Sequence, residues 1–329
     1  MSRMLLPLSF TATLMGGAAF ADAPQVAVDI APVHSLVARV MDGVGTPDLI
    51  LQQGASAHEY SLRPSEAQAL QDADLVFWVG TDLSPWLAGA IETLTADAQV
   101  TELMEAPGTI VLEPRDNALF EKHIHADEDN GHDDHADDAH DHDQDHDDHA
   151  EEEHDGHAHG KRDPHVWLSP NNAMTWLNII AGQLSAADPA NAGAYFANAA
   201  AGRTEIEAMM AEVNATLEPL RGGQFIVFHD AYQYFESDFA FPAAGAISLS
   251  DASDPSPARI AEIQARVARE GIDCVLAEPQ FNGGLVETVL NGTQAETGIL
   301  DPLGSDLEPG PELYSQLIRN MSTALAECM

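Results

Sequence analysis

Asp74-Leu75-Val76-Phe77-Trp78-Val79-Gly80 is an apolar run closed by glycine, and Cys274-Val275-Leu276-Ala277-Glu278 repeats the pattern later in the chain. Neither run alternates polar with apolar side chains, so neither reads as a strand with one wet face. Both read as short strands covered on both faces, which is the signature of a parallel sheet packed between helices. Working outward, strand patterns at 26–31, 48–52, 74–80 and 100–103 alternate with helical patterns at 33–44, from Pro64-Ser65-Glu66 and from Ser84. The alternation returns after residue 222, with strands at 225–229, 246–249, 274–278 and 299–303 and helices at 232–238, 257–270, 284–296 and 311–328. Two amphipathic helices, 170–187 and 189–217, lie between the halves. The pattern predicts an α/β protein of two (βα)4 lobes with parallel sheets, joined by a long rigid helix of ~30 residues, ~45 Å long.

The chain carries 54 acidic and 13 basic side chains in 329 residues, a formal net charge of −41. A nucleic acid or an anionic membrane needs a basic footprint, so neither is an expected partner; an acidic chain favours cations. The charge is concentrated. Residues 121–160 hold 17 Asp/Glu, one Lys and 11 of the 15 histidines. The expected organisation is therefore a signal peptide at 1–21, a first lobe at 22–169 containing a disordered His/Asp-rich loop at 116–163, interlobe helices at 170–221 and a second lobe at 222–329.

Residues 1–21 combine Arg3, an apolar stretch from Leu5 and Ala19-Phe20-Ala21 as a small-residue cleavage site, which predicts export with cleavage after Ala21. The apolar stretch is interrupted by Thr11, Thr13, Gly16 and Gly17 and is short for a bilayer span of ~20 residues. No cysteine lies near the cleavage point to take a lipid, so a periplasmic protein is expected. In that oxidising compartment Cys274 and Cys328, the two cysteines of the chain, are expected to pair as a disulfide.

Four histidines lie outside the acidic tract: His34, His58, His165 and His229. His34 falls inside the first helical pattern and reads as structural. The other three end or follow strand patterns or sit in loops beside them, where open α/β sheets bind ligands. Each alone is more often a hydrogen-bonded structural residue. Together, in an exported chain with a histidine-rich tract, they suit Zn²⁺, which takes neutral imidazoles and completes a tetrahedron with a carboxylate or water. Three histidines with an open fourth position would also suit a zinc hydrolase or hydratase, although no HExxH motif is present. A passive metal buffer is a third reading.

Five motifs narrow this: Ala57-His58-Glu59-Tyr60-Ser61-Leu62-Arg63-Pro64-Ser65, Asp163-Pro164-His165-Val166-Trp167-Leu168, Phe228-His229-Asp230-Ala231-Tyr232, Ala277-Glu278-Pro279-Gln280-Phe281 and Leu300-Asp301-Pro302-Leu303-Gly304. In combination they resemble the ZnuA-type zinc-binding proteins of the cluster A-I family, the periplasmic components of zinc ABC transporters. The resemblance spans the whole mature chain. It implies two lobes joined by a rigid helix, a zinc ion between them, a membrane permease as partner, no enzymatic activity and a monomer. It also implies His58, His165 and His229 as metal ligands. Some zinc-binding relatives place a glutamate ligand just before the first histidine, where this chain has Ala57. The resemblance therefore offers Asp301 or a water as the fourth ligand, with Asp301 preferred, and casts Glu278 as a structural or supporting carboxylate. Manganese-binding relatives carry an acid in place of His229, and imidazole in place of oxygen moves preference toward zinc.

The tract contributes His123, His125, His132, His135, His140, His142, His146, His149, His154, His157 and His159 as candidate secondary ligands. Its composition cannot bury a core, and its carboxylates concentrate cations while its imidazoles supply donor atoms. ZnuA-type relatives carry such a loop at this place. Calorimetry on the chain lacking residues 123–159 is expected to lose zinc equivalents relative to the full chain. The lost capacity is expected to be largest above about pH 6, because protonated imidazoles do not coordinate.

Overall fold

The computed structural model describes residues 23–115, 117, 120, 162–249, 255–281 and 283–329. The predicted export segment and all eleven tract histidines lie outside these residues. The described chain forms two four-stranded sheets, each entirely parallel. The first contains β1 (Val26–Val28), β2 (Asp48–Leu49), β3 (Leu75–Trp78) and β4 (Gln99–Glu102) in the order β2-β1-β3-β4. It is served by α1 (Ala31–Val40), α2 (Pro64–Asp72) and α3 (Pro85–Leu94). Two helices, α4 (Pro170–Ala187) and α5 (Ala192–Leu217), then lead to the second sheet. That sheet contains β5 (Phe225–His229), β6 (Gly245–Ser248), β7 (Cys274–Ala277) and β8 (Glu296–Ile299) in the equivalent order β6-β5-β7-β8. Its helices are α6 (Gln233–Phe239), α7 (Pro257–Glu270), α8 (Gly283–Leu290) and α9 (Leu313–Cys328). In both sheets the strand order reverses between the first and third strands, so each has a crevice at its carboxyl edge.

Central strands β1, β3 and β5 are buried throughout, as their unbroken apolar sequences require, whereas the edge strands β4 and β8 are largely exposed. Helix starts follow local chemistry. Ser169 Oγ accepts the Asn172 N–H at 3.1 Å to open α4, and Ser256 Oγ accepts the Arg259 N–H at 3.2 Å to open α7. Pro170 and Pro257 occupy the first helical turn, where a missing N–H costs nothing. At the end of β1 the buried Asp29 accepts N–H bonds from Ile30 at 2.8 Å and Val79 at 2.7 Å, tying the ends of β1 and β3 together. Burial pushes its carboxyl up to about 7.

The long helix α5 has 26 residues, about 39 Å at 1.5 Å each. It buries Tyr195, Ala199, Gly202, Ile206, Met209, Val213 and Leu217, spaced three or four apart along one stripe. Gly202 allows close approach: a Cβ there would stand 3.1 Å from Leu177 Cδ1 and 3.2 Å from Arg39 Cγ. Arg39 of α1 grips Glu205 through Nε at 2.8 Å and Nη2 at 2.6 Å, and Arg319 of α9 bonds Glu212 at 2.5 Å. The helix is thus fastened to both halves. A single apolar cluster runs from Val26 and Phe77 through Trp176 and Met209 to Phe225 and Leu317. Relative motion of the halves would have to break that shared core.

Several elements differ from the sequence pattern: the helix expected at 284–296 ends at Leu290, and two further shifts have a visible cause. The last strand lies at Glu296–Ile299 rather than 299–303. Pro302 has no N–H to give a ladder, and the Asp301 carboxylate gathers the N–H groups of Leu303 (2.9 Å), Gly304 (3.0 Å) and Ser305 (2.5 Å) into a turn. The long helix starts at Ala192 rather than 189, because Asp188 accepts bonds from the Asn191 side chain (2.7 Å) and the Tyr195 hydroxyl (2.9 Å), holding a turn ahead of the helix.

Cys274 and Cys328 form a disulfide, with Cα atoms 5.6 Å apart, that joins β7 to the last turn of α9 across 54 positions. On the chain-entropy account a loop of that length stabilises by ~4 kcal/mol. Cys328→Ser is expected to lower the urea midpoint, with a loss of up to about 4 kcal/mol in unfolding free energy read by circular dichroism.

Candidate metal centre

The three histidines come from unrelated parts of the chain and reach one point. His58 lies in the irregular loop between β2 and α2. His165 precedes the 3₁₀ turn Val166–Leu168 that leads into α4, and His229 is the last residue of β5. His165 and His229 are buried, while His58 is half-buried. The His165 Nε2 atom is 3.3 Å from Nε2 of His58 and 3.3 Å from Nε2 of His229. One ligand atom from each of the three lies within 4.8 Å of the others, and among the described residues no other cluster of three or more His, Cys, Asp or Glu does so.

The far sides of two rings explain this arrangement. His165 Nδ1 is 2.8 Å from Asp163 Oδ1, and His229 Nδ1 is 2.7 Å from Glu278 Oε1. Both carboxylates are buried, at 3% exposure each. The tautomer in which each Nδ1 donates its N–H to the carboxylate behind it turns each Nε2 lone pair toward the shared point. Two lone pairs 3.3 Å apart repel unless a cation lies between them. Zn–N bonds of 2.0–2.1 Å in a tetrahedron place nitrogens about 3.3–3.4 Å apart, so the spacing suits that geometry.

Burial pushes the Asp163 carboxyl up to about 7, opposed by the His165 N–H and by the charge of Arg115. Arg115 itself binds Asp230 at 2.7 Å and Glu236 at 2.6 Å, and burial likewise pushes Asp230 up to about 7. Aromatic rings shape the walls. Trp167 packs 5.3 Å from the His165 ring and donates its indole N–H to Pro302 O at 2.8 Å. Phe281 stacks on Phe228 and meets the His229 ring edge-on at 5.6 Å.

The remaining candidates fall elsewhere. Asp301 is not in the cluster; its carboxylate oxygens face the turn amides of residues 303–305. His34 is 5% exposed and its Nε2 meets Pro47 O at 3.0 Å, with its pKa lowered by burial, in keeping with a structural role. Glu278 supports His229, as the resemblance implies. The matching role of Asp163 was not anticipated, although its place two residues before His165 was the available signal.

A family model described as "Zinc-uptake complex component A periplasmic" matches residues 26–328. The chain belongs to the ZnuA family. It is 42% identical over 326 residues to the high-affinity zinc uptake system protein ZnuA of Brucella abortus (strain 2308), covering 99% of this chain and 98% of that protein. It is 43% identical over 331 residues to the protein of the same name from Paracoccus denitrificans (strain Pd 1222), covering 99% of each. A crystal structure of ZnuA superposes with a TM-score of 0.71 at 21% identity, covering 93% of this chain and 99% of that one, which shows the shared fold. ZnuA family members are solute-binding proteins rather than enzymes. No helix among the described residues is long and apolar enough to cross a membrane.

Carboxylates that orient metal-bound imidazoles are worth about 10–100-fold in metal affinity when removed. Glu278→Gln keeps the shape but removes the charge that holds the His229 Nδ1 proton. It is expected to weaken divalent-ion binding by about 10–100-fold in chelator competition, with Asp163→Asn showing a similar loss through His165.

Proposed function

We propose that this chain is a periplasmic zinc-binding protein that delivers Zn²⁺ to a membrane ABC permease for uptake, with His58, His165 and His229 as its ligands. The observation that carries the reading is the convergence of three imidazoles on one point, two of them with a buried carboxylate against the far nitrogen. Three imidazoles favour zinc over harder divalent ions, whose preference is oxygen. High-affinity zinc uptake is also what the Brucella and Paracoccus relatives are named for.

Water takes the fourth position in this reading. Asp301, the alternative, would have to exchange three backbone donors for the ion. Residues 1–21 act as the export signal, and the tract histidines capture additional zinc at weaker, exchanging sites. The protein works as a monomer, and its two lobes and interlobe helices divide near residues 169 and 221. Carriage needs no nucleophile or general base. The cargo requires only a site with several converging donors, partly shielded from water, that the permease can empty.

His229→Ala removes one imidazole and leaves Glu278 without its partner. In the chain lacking residues 123–159, chelator competition is expected to show zinc affinity reduced by roughly 100-fold or more. Wild-type affinity in that variant would overturn the ligand assignment. Cells lacking the protein are expected to fail to grow when zinc is limiting and to recover on zinc addition; unchanged growth would favour a passive buffer.

A further inference from the structure

His165 and His229 are each held by a carboxylate behind the ring, and His229 also stands on a central strand. His58 stands on a loop with no regular structure, so its position must be secured some other way. Three groups outside the site do this. The carbonyl of Ala57, one residue before His58, accepts two side-chain donors from the start of α3: Ser84 Oγ at 3.0 Å and Trp86 Nε1 at 2.8 Å. Ser84 is fully buried, and the Ala57 side chain lies in the core at 3% exposure. Position 57 therefore serves the site through its carbonyl, its side chain being turned into the protein.

The other side of the loop is gathered by Glu66, which is 4% exposed in the first turn of α2. Its Oε1 accepts from Gln52 Nε2 at 2.9 Å and from the Tyr60 hydroxyl at 2.8 Å, while its Oε2 accepts the Arg63 N–H at 2.8 Å. These donors belong to the beginning, middle and end of the loop. Tyr60 also packs on Trp86, with ring centroids 5.3 Å apart, so the two clamps touch. Within the loop the His58 N–H donates to Ser56 Oγ at 3.1 Å.

We infer that Trp86, Ser84 and Glu66 are positioning residues of the metal site, fixing the backbone on both sides of His58 so that its imidazole is placed before the ion arrives. This rests on the zinc-binding reading above. A ligand on a loose loop would spend part of its binding free energy on ordering that loop, and the clamps remove that cost in advance.

The test is a double-mutant cycle in the full chain, with Zn²⁺ affinity read by a chelator strong enough to strip weaker sites. Co²⁺ spectra are recorded below one equivalent, so that the tightest site fills first. Trp86→Phe keeps the ring and deletes the N–H donor; it is expected to weaken Zn²⁺ binding about tenfold and to shift the cobalt absorption toward that of His58→Ala. Glu66→Gln, which turns a donor on the Arg63 N–H, is expected to do the same. In the His58→Ala background neither substitution is expected to cost further affinity. Equal losses in both backgrounds, or a cobalt spectrum unmoved by Trp86→Phe, would overturn the inference, because a merely structural role predicts those results. Wild-type affinity in His58→Ala would instead defeat the zinc-binding reading itself.

Discussion

Two imidazole nitrogens held 3.3 Å apart, each ring backed by a buried carboxylate, are the constraint on which the centre depends. Nothing about either ring alone favours that approach. It persists because Asp163 and Glu278 occupy the other nitrogens and because both carboxylates are buried where water cannot take their place. A cation relieves the repulsion and is in turn favoured by the negative charge behind each ring. The three imidazoles could hold a cation through neutral donors, with a carboxylate one hydrogen bond behind two of them.

Such an arrangement requires that the pieces carrying the rings do not drift. The shared apolar core and the gripping of α5 by Arg39 and Arg319 hold the two sheets in one frame. Cross-connections close to the centre reinforce it. Tyr234 donates to Asp163 O at 2.7 Å, Trp167 to Pro302 O at 2.8 Å, and Tyr314 to Trp167 O at 2.9 Å. Each joins the segment around His165 to the second half of the chain. The half-buried His58 ring stands on the more open side, with its loop secured from the first half. The centre is therefore held firmly on the side of His165 and His229 and more open beside His58.

Much of this was legible from residue order. The strands at 225–229 and 274–278 announced themselves by unbroken apolar runs, and α7 by its proline start and the glycine after its end. The three histidines stood out once the tract raised the prior for metal. Legibility ended where a side chain competes with the backbone. Asp301 read as part of a strand at 299–303, yet the strand ends at Ile299 and the Asp301 oxygens accept three turn amides. Asp188 likewise delays α5 by a turn of its own. Local pattern counts apolar positions and does not register these captures.

Composition, periodicity and motif were enough to establish a parallel α/β chain in two similar halves, a cation-seeking character and three candidate imidazoles, because each of those properties is local or additive along the chain. Folding decided that the three imidazoles meet at one point and that Glu278 stands behind His229. Whereas the Asp163–His165 contact spans two positions and was open to local reading, those contacts join residues 49 to 107 positions apart, His229 with Glu278 and His58 with His165 among them. Such separations in sequence carry no distance until the core has closed.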